Sequence, residues 1–338
     1  PMSRTINTMS VVAAAALLGG AATGAVAAEA HQSGSPPSAS VVAEYDTPSA
    51  PGAVRYAYGA AWVTAPAARS VLRIAPGAER PTTTRLPGRI LDITEGYGRI
   101  WVLWSSGSRS YLAALDPRTG RLVGSARRSK LAGRPVDIEA GAGAVWASRL
   151  GARFRTRTVL SRVHPSTRRV TARRWPTPAG FFVERGLLWS FTGQRLVKRA
   201  PATLRTRGSV RAFSGYNAVT YGIGNFWTSS LGPTANGGVT RISPTRGRGA
   251  VYEFPGESDV NDAGGIVTGA GRIWVAWQTD ESSGGGPWDL VGFSPSGDAG
   301  QIVQLPTIAP PEIAYGAGSL WVTDTAGKRV LVITPPTT

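Results

Sequence analysis

Seven tryptophans, each led by a glycine turn, constrain this chain more than any other feature. They stand in Tyr58-Gly59-Ala60-Ala61-Trp62, Gly96-Tyr97-Gly98-Arg99-Ile100-Trp101, Gly141-Ala142-Gly143-Ala144-Val145-Trp146 and Arg185-Gly186-Leu187-Leu188-Trp189. The series continues with Gly222-Ile223-Gly224-Asn225-Phe226-Trp227, Gly269-Ala270-Gly271-Arg272-Ile273-Trp274 and Gly316-Ala317-Gly318-Ser319-Leu320-Trp321. Successive tryptophans are 39, 45, 43, 38, 47 and 47 residues apart. A repeat of about 40 to 50 residues is one supersecondary unit that must stack on its neighbours to bury its apolar faces.

A second mark follows every tryptophan. It is a short, mostly apolar run ending in proline: Leu72–Pro76, Ala113–Pro117, Ser161–Pro165, Val197–Pro201, Thr240–Pro244, Val291–Pro295 and Leu331–Pro335. Proline has no N–H to give to a ladder, so it ends a strand. Asp116-Pro117-Arg118-Thr119-Gly120 then reads as a turn. The second unit predicts four strands, at Ile90–Thr94, Ile100–Trp104, Tyr111–Leu115 and Leu122–Arg127. No part of residues 41–338 carries sustained helical periodicity. The expected fold is therefore all-β, a seven-bladed β-propeller of four-stranded antiparallel blades.

The chain ends support closure. The last unit stops after its third strand, while Val41–Tyr45 resembles a fourth strand standing ahead of the first unit. The N-terminal strand is expected to complete the last blade and remove an unpaired edge. The repeat tryptophans are expected to pack between blades. Trp104, Trp175, Trp277 and Trp288 fall outside the repeat and read as candidates for exposed aromatic contacts.

Ahead of the repeat, Arg4 precedes an apolar, small-residue run from Val11 to Ala28, with Ala-x-Ala sites ending at Ala27 and Ala30. This pattern predicts a secretion signal over residues 1–30. A Ser/Pro/Gly-rich linker follows over 31–40, and the repeat domain occupies 41–338. The expected location is secreted, extracellular or associated with the cell wall, with no membrane span in the mature chain. The sequence has no cysteine, which excludes disulfides, thiolate metal sites and a thiol nucleophile. His31 and His164 are its two histidines, too few for a multi-histidine metal site.

The glycine–tryptophan pattern with its Asp-Pro turn resembles a broad group of bacterial seven-bladed propellers. The group includes streptogramin B lyases and the NHL- and YVTN-type repeat proteins. The resemblance covers about residues 41–338 and implies the fold. For the lyases it also implies a magnesium-dependent His and Glu near the central channel. That His, in a Pro-His-Gly-type lead-in to a first strand, has no counterpart among the seven lead-ins here. His164 instead precedes Pro165 at the end of a third strand, in a register pointing away from the channel.

The same lead-ins carry other polar residues. Asp92, Asp137 and Glu312 each stand nine residues before their tryptophan, and Asn217 stands ten before. In a propeller these positions ring one mouth of the channel, so the four are candidate ligand-binding residues. Each carboxylate has a competing role, capping a turn or accepting backbone N–H groups. No cofactor is expected; a divalent cation held by the three carboxylates belongs to the alternative of a metal-assisted lyase or hydrolase. Glu257–Asp262 and the group Asp280, Glu281 and Asp289 do not match a calcium-loop spacing and read as solvated loops.

Charge sets the last expectation. The net is +17, and Arg55–Ala250 alone holds 33 basic against 7 acidic residues, whereas 251–338 holds 3 against 10. Blades follow chain order around the ring, so adjacent blades share the excess. Such a field attracts polyanions. The function read from sequence is a binding or interaction protein. It contacts an anionic wall polymer or glycan, with a protein partner as a further option and nucleic acid disfavoured.

Overall fold

The computed structural model describes residues 4–7, 40–126, 129–132, 135–148, 158–175, 181–212, 216–230, 238–254, 263–278, 288–307 and 309–335. Every regular element among them is a strand. The strands form seven antiparallel sheets, one for each predicted unit. Blade one runs Val54–Ala57, Ala60–Ala65, Ser70–Ile74 and Thr82–Arg85. Blade seven has Ile313–Gly316, Ser319–Asp324 and Arg329–Thr334 from the C-terminus. Its outer strand is Ser40–Asp46, antiparallel to Arg329–Thr334. The ring closes as the sequence predicts. Arg329 clamps the seam, its Nη1 2.7 Å from Glu44 Oε2 and its Nε 2.8 Å from Asp324 Oδ2.

The glycine–tryptophan motif has three separate physical reasons. The two residues at each hairpin tip have positive φ: Tyr97 at 54° and Gly98 at 66°, for example, or Ala317 at 51° and Gly318 at 77°. That is a type I′ turn, whose twist matches the flanking strands and whose second position favours glycine. The earlier glycine serves packing instead. A Cβ on Gly316 would lie 1.8 Å from the Tyr56 ring of blade one, and one on Gly269 would lie 2.0 Å from Tyr315 of blade seven. Finally, each tryptophan donates its indole N–H to the carbonyl five residues earlier, from Trp62 to Ala57 through Trp321 to Gly316, at 2.9–3.2 Å. Turn, neighbour contact and indole bond together fix the hairpin.

The apolar core is a set of inter-blade seams. Seven clusters of buried side chains each join one blade to the next, including blade seven to blade one through Tyr45, Val54 and Trp321. Every repeat tryptophan lies in the seam with the following blade, which supports the structural role expected of it.

Two expectations need correction. Trp104, Trp175, Trp277 and Trp288 are buried rather than exposed. Trp104 stacks on Tyr111 at 4.6 Å and donates to the Ala126 carbonyl. That contact is linked to the second correction. In blade two, Leu122 makes only an isolated bridge to Leu115, and the outer strand is Ser129–Lys130 rather than Leu122–Arg127. After Gly124, with φ at 74°, the chain leaves the ladder, and the Trp104 indole holds the carbonyl of the detour.

The short segment Arg4–Asn7 is extended and pairs antiparallel with Tyr216–Gly222, the first strand of blade five, in the register Arg4 to Tyr221 and Asn7 to Ala218. The apolar run and most of the linker fall on residues 8–39, outside the described residues. Glu257–Asp262 and the pair Asp280 and Glu281 lie outside them as well, whereas Asp289 is buried in the third strand of blade six.

Candidate functional site

The first strands line the channel, and the residues that begin them surround its upper mouth. Asp92, Asp137 and Glu312 all border one pocket there, of about 300 Å³, with Pro51, Pro66 and Pro310 among its apolar walls. The structure thus brings together three of the four candidates. Asn217 lies at a bulge in the first strand of blade five; its side chain is outside the described residues. The lower mouth is wider, about 1200 Å³, and is bordered mostly by the type I′ turns of blades three to seven.

The three carboxyl groups are not equivalent. Asp92 Oδ1 accepts the N–H of Ile93 at 2.7 Å, and its Oδ2 accepts the N–H of Ile138 in blade three at 2.8 Å. This is the competing role read from the sequence, backbone amide acceptance, and here it ties two blades together. Asp137 hydrogen-bonds to Asp92. Burial, with the charges of Asp92 and Glu139, pushes Asp137 well above the usual carboxylate range. Burial also raises Asp92, against Arg55 and the two amides. Asp92, whose two oxygens already accept backbone N–H groups, is the better placed of the two to carry the charge. Glu312 is held by its backbone, whose N–H donates to Thr323 Oγ1 at 2.9 Å. Burial pushes its carboxyl up to about 8, with Arg55 opposing and Asp92 assisting.

Sequence reasoning missed two members of this cluster, Arg55 and Glu139. Both are buried, at 5% and 3% exposure. Burial works against the Arg55 charge, but Asp92, Glu139, Glu95 and Glu312 together raise its pKa. A signal for them exists. The first-strand residue paired with the repeat tryptophan is Arg55 in blade one and Glu139 in blade three, but Thr94, Phe182, Thr220, Val267 and Ala314 in the others. Charge at a position elsewhere held by apolar residues or threonine marks these two.

The Arg55 guanidinium already stands within electrostatic reach of the carboxylates that a divalent ion would need. Among the described residues, no three acidic or histidine side chains are placed to hold a metal. His164 is exposed at the outer turn of blade three, where its Nδ1 accepts the N–H groups of Ser166 and Thr167 at 3.3 Å. Asp116 plays the same part in blade two.

The raised Glu312 pKa gives a stability prediction. The unfolded carboxyl loses its proton near 4.5, and the folded one near 8. Between those values the native state binds more protons, so stability falls as pH rises through the window and levels off above it. Replacing Glu312 with Gln is expected to reduce that fall by on the order of 2 kcal/mol after solvent screening. Denaturant titrations at both ends of the window measure it. Equal slopes in the two proteins would show that Glu312 titrates normally.

Blade count, ring closure and an acid-lined channel mouth define the class as a seven-bladed β-propeller. No protein-family model matches the chain, and no curated protein matches it. Solved structures do. BamB from Moraxella catarrhalis aligns at a TM-score of 0.50 with 14% identity, over 84% of this chain and 85% of that one. A structure from a study of two prolyl endopeptidases aligns at 0.53 with 11% identity, over 86% of this chain and 50% of the other. A chain of the mitotic checkpoint complex aligns at 0.55 with 8% identity, over 91% and 98%. At such identities the likeness is one of fold.

Proposed function

We propose that this propeller is a secreted binding protein that holds an anionic wall polymer or glycan on the outer wall of blades three and four. The supporting observation is a run of exposed basic residues there. Arg162, Arg169, Arg173 and Arg174 of blade three are exposed, as are Arg195, Arg205, Arg207 and Arg211 of blade four. From Arg162 to Arg211 the sequence contains one acidic residue, Glu184.

Not every arginine in this region is free for a polymer. Arg168 of blade three lies 4.5 Å over the Trp101 ring of blade two, and Arg199 of blade four lies 5.6 Å over Trp175 of blade three. Both are buried and serve the seams as cation–π partners. The other eight are exposed, although Arg162 also lies over Trp146, Arg173 donates to the Ala202 carbonyl and Arg195 donates to Ser209 Oγ; their summed field is what a polyanion would meet.

Replacing Arg173, Arg174, Arg207 and Arg211 with Gln is the test. Retention on a polyuronate or a glycerol-phosphate wall polymer at low salt is expected to fall about tenfold or more. The unaltered protein is expected to elute as salt shortens the screening length. Retention equal in both proteins, or indifferent to salt, would remove the charge mechanism.

A further inference from the structure

We propose that the central channel binds an extended peptide with uncharged, β-branched residues at its middle, added as a strand to the inner edge of blade five. The site is separate from the basic wall and does not depend on it.

A piece of chain already occupies that edge. The strand order of the sheet places Arg4–Asn7 beside Tyr216–Gly222, the first strand, on the side away from the second. That side of a first strand faces the channel and carries a row of N–H and C=O groups open to pairing. Main-chain groups so placed hold an extended peptide through its backbone. Four successive residues pair here in antiparallel register: Arg4 with Tyr221, Thr5 with Thr220, Ile6 with Val219 and Asn7 with Ala218. Arg4–Asn7 stands in for the peptide, and its middle residues, Thr5 and Ile6, are of the kind that favours the extended form. The segment also lies against Ala263–Gly269 and Ile313–Gly316, so the first strands of three blades frame the slot.

Charge explains the choice of blade. The first strands of blades one, two and three carry Arg55, Asp92, Glu95 and Glu139, which lie within electrostatic range of one another. A strand laid over them would strip water from charges. At the position paired with the tryptophan, blades five, six and seven carry Thr220, Val267 and Ala314. The register also sets the direction of entry. Arg4 lies opposite Tyr221, which borders the lower mouth of about 1200 Å³, and the segment runs inward toward Ala218. Cleavage after Ala27 or Ala30 would remove Arg4–Asn7 and open the edge; that point alone rests on the secretion reading.

Fluorescence anisotropy with a labelled peptide of sequence Ser3–Thr8 tests this on the full chain. Thr5→Pro with Ile6→Pro empties the slot without cleavage, because alternate residues of an added strand donate to the neighbour and the pair covers both alternations. Ring closure is untouched, since it uses Ser40–Asp46. The proline variant is expected to bind the peptide saturably, and the unaltered chain, filled in cis, about tenfold or more weaker. A peptide N-methylated at its Thr and Ile nitrogens, or one carrying Thr5→Asp and Ile6→Asp, should also lose about tenfold or more. A photoreactive group at the Ile position should cross-link within the first strands of blades five to seven. No saturable binding by the proline variant, equal binding of the N-methylated peptide, or cross-links confined to other blades overturns the proposal.

Discussion

Deleting residues 1–46 is expected to cost on the order of 5 kcal/mol, a large fraction of the stability of an ordinary domain. The cut removes the outer strand of blade seven. It leaves the ladder groups of Arg329–Thr334 unpaired and takes Glu44 from Arg329. It also takes Tyr45 from the seam, where its ring stacks 6.3 Å from that of Trp321. The exposed edge invites pairing with a second molecule. Denaturant unfolding and size-exclusion chromatography read both effects. A monomer with an unchanged midpoint would show that closure contributes little, and that three strands suffice in the last blade.

Trp101→Ala is expected to cost about 3–5 kcal/mol, the range for removing a large buried aromatic. Trp101 is fully buried in the seam between blades two and three. Three losses coincide: the packed area, the indole bond to Gly96, and the ring beneath Arg168. Trp101→Phe keeps a ring but loses the indole bond, so its cost should be smaller by about half. If both variants cost under about 1 kcal/mol in chemical denaturation, the motif would have to be explained without the seam.

The blades were legible because each mark answers a distinct demand. A type I′ tip asks for glycine at Gly98 and Gly318, and close approach to the next blade asks for it at Gly269 and Gly316. The seam asks for tryptophan, and proline ends the third strand. Three demands met in all seven blades, and the close-approach glycine in five, leave a pattern that composition alone cannot mimic. The outer strand of blade two was not legible, because Leu122–Arg127 has suitable residues while Gly124 and the Trp104 indole divert the backbone.

The channel mouth was half legible. A fixed offset from tryptophan located Asp92, Asp137 and Glu312, since one offset means one height in the ring. It did not distinguish Asp92, whose two oxygens are used by Ile93 and Ile138, from Glu312, whose carboxyl faces the pocket. That division depends on how two neighbouring blades meet, which no single repeat encodes. Arg55 and Glu139 sit at another offset, and only their contrast with Thr94, Val267 and Ala314 marks them. The excess of arginine was plain from composition. Its division between seam and surface needed the ring contacts of Arg168 and Arg199.

Pairing Ser40–Asp46 with Arg329–Thr334 also orders events in time. The earlier stretch must wait for a partner far along the chain, with Glu44 and Arg329 separated by 285 residues. Partners so far apart make the final step slow, because a very long loop has to be gathered before any reward arrives. Until then the growing chain is an open arc with two sticky ends. Such an arc offers both of its outer edges to other chains until the two stretches meet.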